Sequence, residues 1–363
     1  MAKELAHFKN FAKLKDTKVA FNDITVIAGK PGTGKSYVMK MMYAIYVSHF
    51  ITVIEKIKIF NEIFSLQCDT SKKNLTFNYL DEKTKNILLK KEKLLKNKNT
   101  FFNNFKNIVI SIFGNMEQIS KSFSLKYNEF ELNYSETLLS SNEKTNSQDD
   151  FGEVIFVETP LILEFKKFMK REEGKTPYHI ESLLNILDTD YSFTDEEQDK
   201  FIKDFTQKSK EIIKGDIESS GDSFLFNKEG EKNYDIVNAS SGTKSIGLLQ
   251  YLVTNKALKK GSVLYWEEPE VHLHPEWQLR MIELFIELMN AGVKIVFSTH
   301  SPYMCDYLNA ISQKKGFNDR VSFNLFEETD GVVKNYILED DEDWNKIQAE
   351  LLDPLEEIMW EYI

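Results

Sequence analysis

Cysteine is nearly absent: Cys68 and Cys305 are the only two in 363 residues, far apart and outside any CxxC pair. That argues against a disulfide framework or a structural zinc site, and it points to a reducing cytoplasm as the compartment. Long apolar runs are missing too. No stretch approaches the roughly 20 residues needed to span a bilayer, and the start, Met1-Ala2-Lys3-Glu4, lacks the unbroken apolar core of a signal peptide. No excess of positive charge is present either, since 57 acidic against 46 basic residues give a net charge of −11. A surface that binds nucleic acid everywhere is thereby disfavoured, while a local basic patch remains open.

What is present suits a globular protein of one large domain or two modest ones. Asp23 to Ala28 (DITVIA) is a β-branched apolar run that reads as a buried strand, and the Met- and Tyr-rich stretch from Ser36 reads as a packed helix. Between them lies Gly29-Lys30-Pro31-Gly32-Thr33-Gly34-Lys35-Ser36, a complete GxxxxGK[ST] in its proper strand–loop–helix setting. Its glycines let backbone amides of Gly32 to Tyr37 surround a phosphate, and the helix N-terminus adds its dipole. Lys35 is expected to reach the β and γ phosphates, and the Ser36 hydroxyl to ligate Mg²⁺. Lys30, Gly32, Thr33, Gly34 and Tyr37 complete the expected ATP-binding set.

Val263 to Trp266 is an apolar strand ending in Glu267-Glu268-Pro269-Glu270. A strand emerging beside the phosphate loop can put Glu267 on the metal's water shell and Glu268 on the attacking water as general base. Val293 to Ser298 repeats the design and delivers His300, which is placed to hydrogen-bond the γ-phosphate. A fourth element, Asn238 to Ser245 (NASSGTKS), puts Ser240, Ser241, Gly242, Thr243 and Lys244 at the start of an apolar helix, a second anion-type terminus. Alone, a simple N-cap explains it equally well. With the phosphate loop, it suggests two molecules sandwiching the nucleotide.

Residues 56–235 differ in character. Lys83 to Lys106 holds eight lysines and one acid, which reads as a helical arm with a solvated lysine face or as a DNA- or RNA-facing patch. Ser140 to Asp150 reads as a polar loop or link, Val154 to Val157 as a strand, Leu161 to Lys214 as mainly helical, and Ser223 to Val237 as a hairpin around Gly230.

The order GKPGTGKS, NASSGTKS, VLYWEEPEVHLHPEWQ, VFSTHSP resembles the ABC-type ATPases of the SMC and OLD (overcoming lysogenisation defect) group, most closely the OLD-like branch of bacterial anti-phage systems. The resemblance implies an α/β, ABC-type P-loop ATPase head with a helical insertion lobe. Residues 1–55 and 236–330 would form the core, 56–235 the lobe with its lysine-rich arm, and 331–363 an acidic C-terminal tail helix. It implies that Ser240 to Lys244 caps the γ-phosphate of a second subunit, and that Val271 to His274 lies at the dimer seam, where His272 and His274 pack rather than bind metal. Glu267 stands where the wider class has aspartate, and Ser241 and Thr243 replace the glycine and glutamine of transporter signatures. Gln67, Gln118 and the Glu158-Thr159-Pro160 strand end are three candidates for the Q-loop position. The short stretch after His300 lacks the separated carboxylates of a Toprim nuclease. The expected function is an ATPase that dimerises on nucleotide and regulates a separate nuclease or toxin in phage defence. An SMC-like ATPase that clamps DNA is the alternative, and a binder that hardly hydrolyses is a further one.

Overall fold

Four strands are buried at almost every position, the mark of parallel strands covered on both faces. These are β3 (Ile24–Gly29), β7 (Val154–Val157), β11 (Val263–Glu267) and β12 (Lys294–Thr299). In the computed structural model they lie side by side in parallel, in the order β3-β12-β11-β7. The structure describes residues 3–68, 99–114, 120–128, 130–135, 138–142, 152–168, 176–189, 191, 196–339 and 341–352.

On the other side of β3, the sheet continues through β13 (Val321–Thr329) and β14 (Val332–Leu338), an antiparallel hairpin around Gly331, whose φ is 75°. Beyond β14 come β2 (Leu14–Phe21), β1 (Glu4–Phe11), β4 (Ser122–Tyr127), β5 (Phe130–Ser135) and β6 (Leu138–Asn142), completing an 11-stranded sheet. A separate three-stranded antiparallel sheet joins β8 (Gly215–Ser220), β9 (Ser223–Lys228) and β10 (Tyr234–Asp235).

The period of two along the central strands divides the interior into two cores. Leu264, Trp266, Ile295 and Phe297 face one side. There they meet α6 (Ser241–Thr254), α7 (Pro275–Asn290) and α8 (Pro302–Lys315), with Trp266 against Phe285. Val263, Tyr265 and Val296 face the other side. There α1 (Lys35–Cys68) lays Tyr43 edge-on to Phe156 and Tyr265. Each large side chain so buried contributes about 1.5–3 kcal/mol, so both helical layers are fixed to the strands that carry the site. The remaining helices are α2 (Asn99–Phe113), α3 (Ile162–Phe165), α4 (Tyr178–Asp188), α5 (Glu196–Ile213) and α9 (Asp341–Leu351). No helix among the described residues is long and apolar enough to cross a membrane.

Two expectations about organisation need correcting. Residues 56–235 are not a lobe apart from the core, because β7 pairs with β11 from Val154↔Val263 to Val157↔Trp266, and β4 pairs with β1. Residues 331–363 are not simply a tail helix: β14 lies inside the sheet, and α9 seats Ile347 in the core and Trp344 edge-on to Phe323. Most of the lysine arm, Lys83 to Lys98, lies outside the described residues; at its end, α2 buries Phe101 and Phe105 against Phe130 and leaves Lys106 exposed.

The phosphate loop leaves β3 through a tight approach. Gly29 has φ 139°, and a Cβ there would sit 2.2 Å from the Phe326 carbonyl oxygen, whereas at Gly32 (φ 79°) a Cβ would meet nothing within 4 Å. Gly32→Ala is therefore expected to cost only backbone strain, on the order of 1–3 kcal/mol, and Gly29→Ala clearly more. Denaturant unfolding of the two variants beside wild type checks the order; equal losses would show that the β3–β13 approach is not tight.

Candidate functional site

In a parallel sheet every strand ends at the same edge, and here the register aligns those ends. Ala28 on β3 pairs with Thr299 on β12, and Ser298 pairs with Glu267 on β11. The phosphate loop, the acidic loop and His300 therefore leave the sheet together. Gly32 and Gly34 hold positive φ angles of 79° and 88° with open space where a side chain would be. Such a turn can aim several amides at one anion.

Lys35 is only 5% exposed and donates to the carbonyls of Gly29 and Lys30, at 2.8 Å each. Burial pulls its pKa down to about 8, against the opposing charges of Glu268, Glu270 and Glu267. Thr33 donates its hydroxyl to the Lys30 carbonyl at 2.9 Å, closing the loop. Lys30 itself does not face inward. Its ammonium reaches Glu350 on α9 at 3.2 Å, so the C-terminal helix is attached to the phosphate loop. Tyr37 leaves its ring 41% exposed, stacked on Phe113 with centroids 5.6 Å apart.

Glu267 hydrogen-bonds with Ser36, and burial raises its pKa to about 6. Its Oε1 is buried and has no hydrogen-bond partner. Such an orphaned oxygen beside a serine hydroxyl at a phosphate loop fits a divalent cation that takes its other ligands from phosphate and water, the usual mode of Mg²⁺. Among the described residues there is no group of three His, Cys, Asp or Glu side chains placed to hold a metal by themselves.

Glu268 sits in the left-handed region, φ 46°, with its N–H donating to the Ser298 carbonyl at 3.1 Å. Strain of this kind in a non-glycine residue costs on the order of 1–3 kcal/mol and recurs at functional sites. It aims the carboxylate at His300, whose Nε2 lies 2.8 Å from Glu268 Oε1. His300 occupies the one residue between the end of β12 and Ser301, which N-caps α8 ahead of Pro302.

Of the two Q-loop candidates among the described residues, Glu158 is the one brought near. It follows β7, next to the strand that carries Glu267, and is held by Lys40 and by His179, both at 2.8 Å. His179 and Lys40 draw its pKa down to about 2. Gln67 is 31 residues along α1 from Ser36, roughly 46 Å at the helical rise, and Gln118 lies outside the described residues.

The signature segment departs from expectation. Ser240 is exposed and caps α6 by accepting from the Thr243 N–H at 3.2 Å, and Ser241 is half-buried beside it. Gly242 is packed, since a Cβ there would meet Trp277 and Leu273 at 3.2 and 3.3 Å. Lys244, placed with the nucleotide-binding residues from sequence, is 4% exposed and turned inward. Its ammonium pairs with Glu164 on α3 and donates to the Val237 carbonyl at 3.1 Å. A lysine at a helix N-terminus opposes the dipole, and Glu164 supplies the compensating charge. Thr243 is also buried, so Ser240 and Ser241 are the side chains left for an incoming phosphate. His274 N-caps α7, while His272 is exposed with φ 65°.

Sequence reasoning missed Glu164, Lys40 and, above all, Glu270, whose Oε1 accepts the His300 N–H at 2.6 Å. Burial raises the Glu270 pKa. Glu270 was visible as the third acid of EEPE, but nothing local ties it to a backbone amide 30 residues away.

Phosphate loop, acid-tipped strand, histidine-tipped strand and serine-capped signature helix, on one mixed sheet, define the ABC-type class of P-loop ATPase heads. More narrowly, the chain belongs to the family described as "AAA domain, putative AbiEii toxin, Type IV TA system", whose model matches residues 24–306. No curated protein matches. Among solved structures, the SMC head bound to the C-terminal winged-helix domain of ScpA is 14% identical with TM-score 0.49, covering 95% of this chain and 100% of that one. The SMC head domain from Thermotoga maritima is 10% identical with TM-score 0.45, over 94% and 100%. The ADP conformation of an ATP-binding cassette of an ABC transporter is 12% identical with TM-score 0.38, over 97% and 96%.

If Lys244 is held for stability alone, breaking its pair should cost about 3–5 kcal/mol, because it leaves one buried charge uncompensated. Glu164→Leu or Lys244→Met alone should therefore be much less stable than wild type, and the double variant should regain most of the loss. ATP turnover by the refolded double variant is expected to be close to wild type. Turnover lost in a stable double variant would return Lys244 to the nucleotide.

Proposed function

We propose that this chain binds and hydrolyses ATP with Mg²⁺, that two copies close around the nucleotide, and that the closed pair regulates a separate effector. The observation that carries the reading is the 2.8 Å contact between Glu268 and His300 beside the Lys35 phosphate loop. ATP phosphates would lie among the amides of Gly32 to Tyr37, with the Lys35 ammonium beside them. Glu268 would accept a proton from the attacking water, and His300, held by Glu268, would help orient that water and meet the γ-phosphate. Ser36 and Glu267 would hold the cation, which neutralises phosphate charge.

Dimerisation is supported by what surrounds Ser240. It opens a helix with its side chain exposed and bonded only within its own turn to Thr243, among the described residues, and it is flanked by exposed Val237. A two-fold partner would set its Ser240 and Ser241 over this copy's phosphate loop, and the reverse. The family's description names a toxin and a toxin–antitoxin system, which supports an effector setting, and phage defence remains the proposed context. A DNA-clamping, SMC-like role is the second reading. It draws on the lysines of 83–106, of which Lys106 is exposed on α2.

Lys35→Ala is expected to lose ATP binding, and Glu268→Gln to keep binding while kcat falls on the order of 10²–10⁴-fold. Ser240→Arg should bind ATP and not turn it over. Mixing Ser240→Arg with Lys35→Ala concentrates both lesions in one composite site and leaves the other intact, so activity should rise well above either parent. No rescue where mixed dimers demonstrably form would count against shared sites.

A further inference from the structure

Two carboxylates of one loop hold His300 at two points. Glu268 Oε1 meets its imidazole Nε2 at 2.8 Å, and Glu270 Oε1 accepts its backbone N–H at 2.6 Å. The loop itself is fixed: Glu268 N–H donates to the Ser298 carbonyl at 3.1 Å, and Val271 N–H to the Glu268 carbonyl at 3.0 Å. His300 has little other restraint along the chain. It follows Thr299, buried at the end of β12, and precedes the N-cap Ser301, whose Oγ donates to Gln278 at 2.6 Å. Without Glu270, the His300 amide would lose its acceptor, and the peptide carrying the ring could turn away from Glu268.

We propose that Glu270 is a positioning residue for ATP hydrolysis: through the His300 amide it sets the imidazole against Glu268. This rests on the reading above, in which Glu268 and His300 act on ATP. A charge-assisted hydrogen bond of this length is among the stronger ones in proteins. Misplacing a reacting group by about 1 Å can cost on the order of 10²-fold in rate. Because Glu270 acts through the His300 amide, its loss should appear in kcat and not in ATP binding. Gln keeps an acceptor of the same reach, whereas Asp is one methylene short.

The test uses the full chain in a cycle of Glu270→Ala, His300→Ala and the double variant, with Glu270→Gln and Glu270→Asp alongside. Glu270→Ala and Glu270→Asp are expected to lower kcat on the order of 10–100-fold with the KM for ATP within about twofold. Glu270→Gln should regain most of the rate. The double variant should be no slower than His300→Ala, because the two changes remove one function. Fold losses that multiply in the double variant, a rise in KM at unchanged kcat, or full activity in a folded Glu270→Ala would each overturn the proposal. Should Glu270→Ala fail to unfold cooperatively, Glu270→Asp carries the same cycle. A second readout needs no turnover: the imidazole ¹⁵N signals absent from His300→Ala should move in Glu270→Ala and stay in place in Glu270→Gln. Unmoved signals overturn the positioning role even if the chain hydrolyses nothing. Inactive wild type with the signals displaced would sink the ATPase reading alone.

Discussion

Parallel pairing in register is the constraint on which the site depends. Because β3, β12 and β11 run the same way and start level, their last residues arrive together at one edge of the sheet. The phosphate loop lies more than two hundred positions before Glu267, Glu268 and His300, and no local interaction could assemble them. Two apolar layers, one led by α1 and the other by α6 and α7, grip the strands from both faces and keep that register from slipping. A slip of one residue would reverse every inward side chain.

Against that rigid frame, the charged groups divide by what surrounds them. Glu267 is buried with an orphaned oxygen and Lys35 is buried on carbonyls, so both are held in states that an incoming phosphate and cation can relieve. Glu158 is satisfied already by Lys40 and His179. Lys244 is satisfied by Glu164 and by a carbonyl. Burial without an opposite charge leaves a group that a ligand can compensate, and burial against an opposite charge marks structure. By this criterion Lys244 belongs to the structure of the helix, while exposed Ser240 and half-buried Ser241 lie nearer the surface.

Strain is distributed in the same way. Glu268 and His272 adopt left-handed angles within one loop, and Gly29 a wide positive φ at a contact with Phe326. All three lie where a strand or its following loop turns out of the sheet edge, and the packed layers below hold the turns in place. The loop that carries Glu268 also carries Glu270 and exposes Val271, so both carboxylates that meet His300 belong to one short segment.

The sequence by itself determined what depends on neighbours along the chain. A complete phosphate-loop pattern between an apolar β-branched run and a helix can fold in only one useful way, so Gly29 to Ser36 was legible. So were the strands ending in Glu267 and before His300, whose apolar runs are unbroken, and the N-cap at Ser240. Tertiary structure decided what depends on contacts across the fold. Val154 to Val157 reads as a strand, but only pairing with β11 places it in the core instead of the lobe. Lys244 follows a glycine at a helix start and looks available to phosphate until Glu164, far upstream, is seen to neutralise it. Glu270 reads as one more acid in a polar turn, and its bond to the His300 amide exists only because β11 and β12 end together. Local patterns fix the conformation of a segment; the partner of a buried charge is fixed by topology.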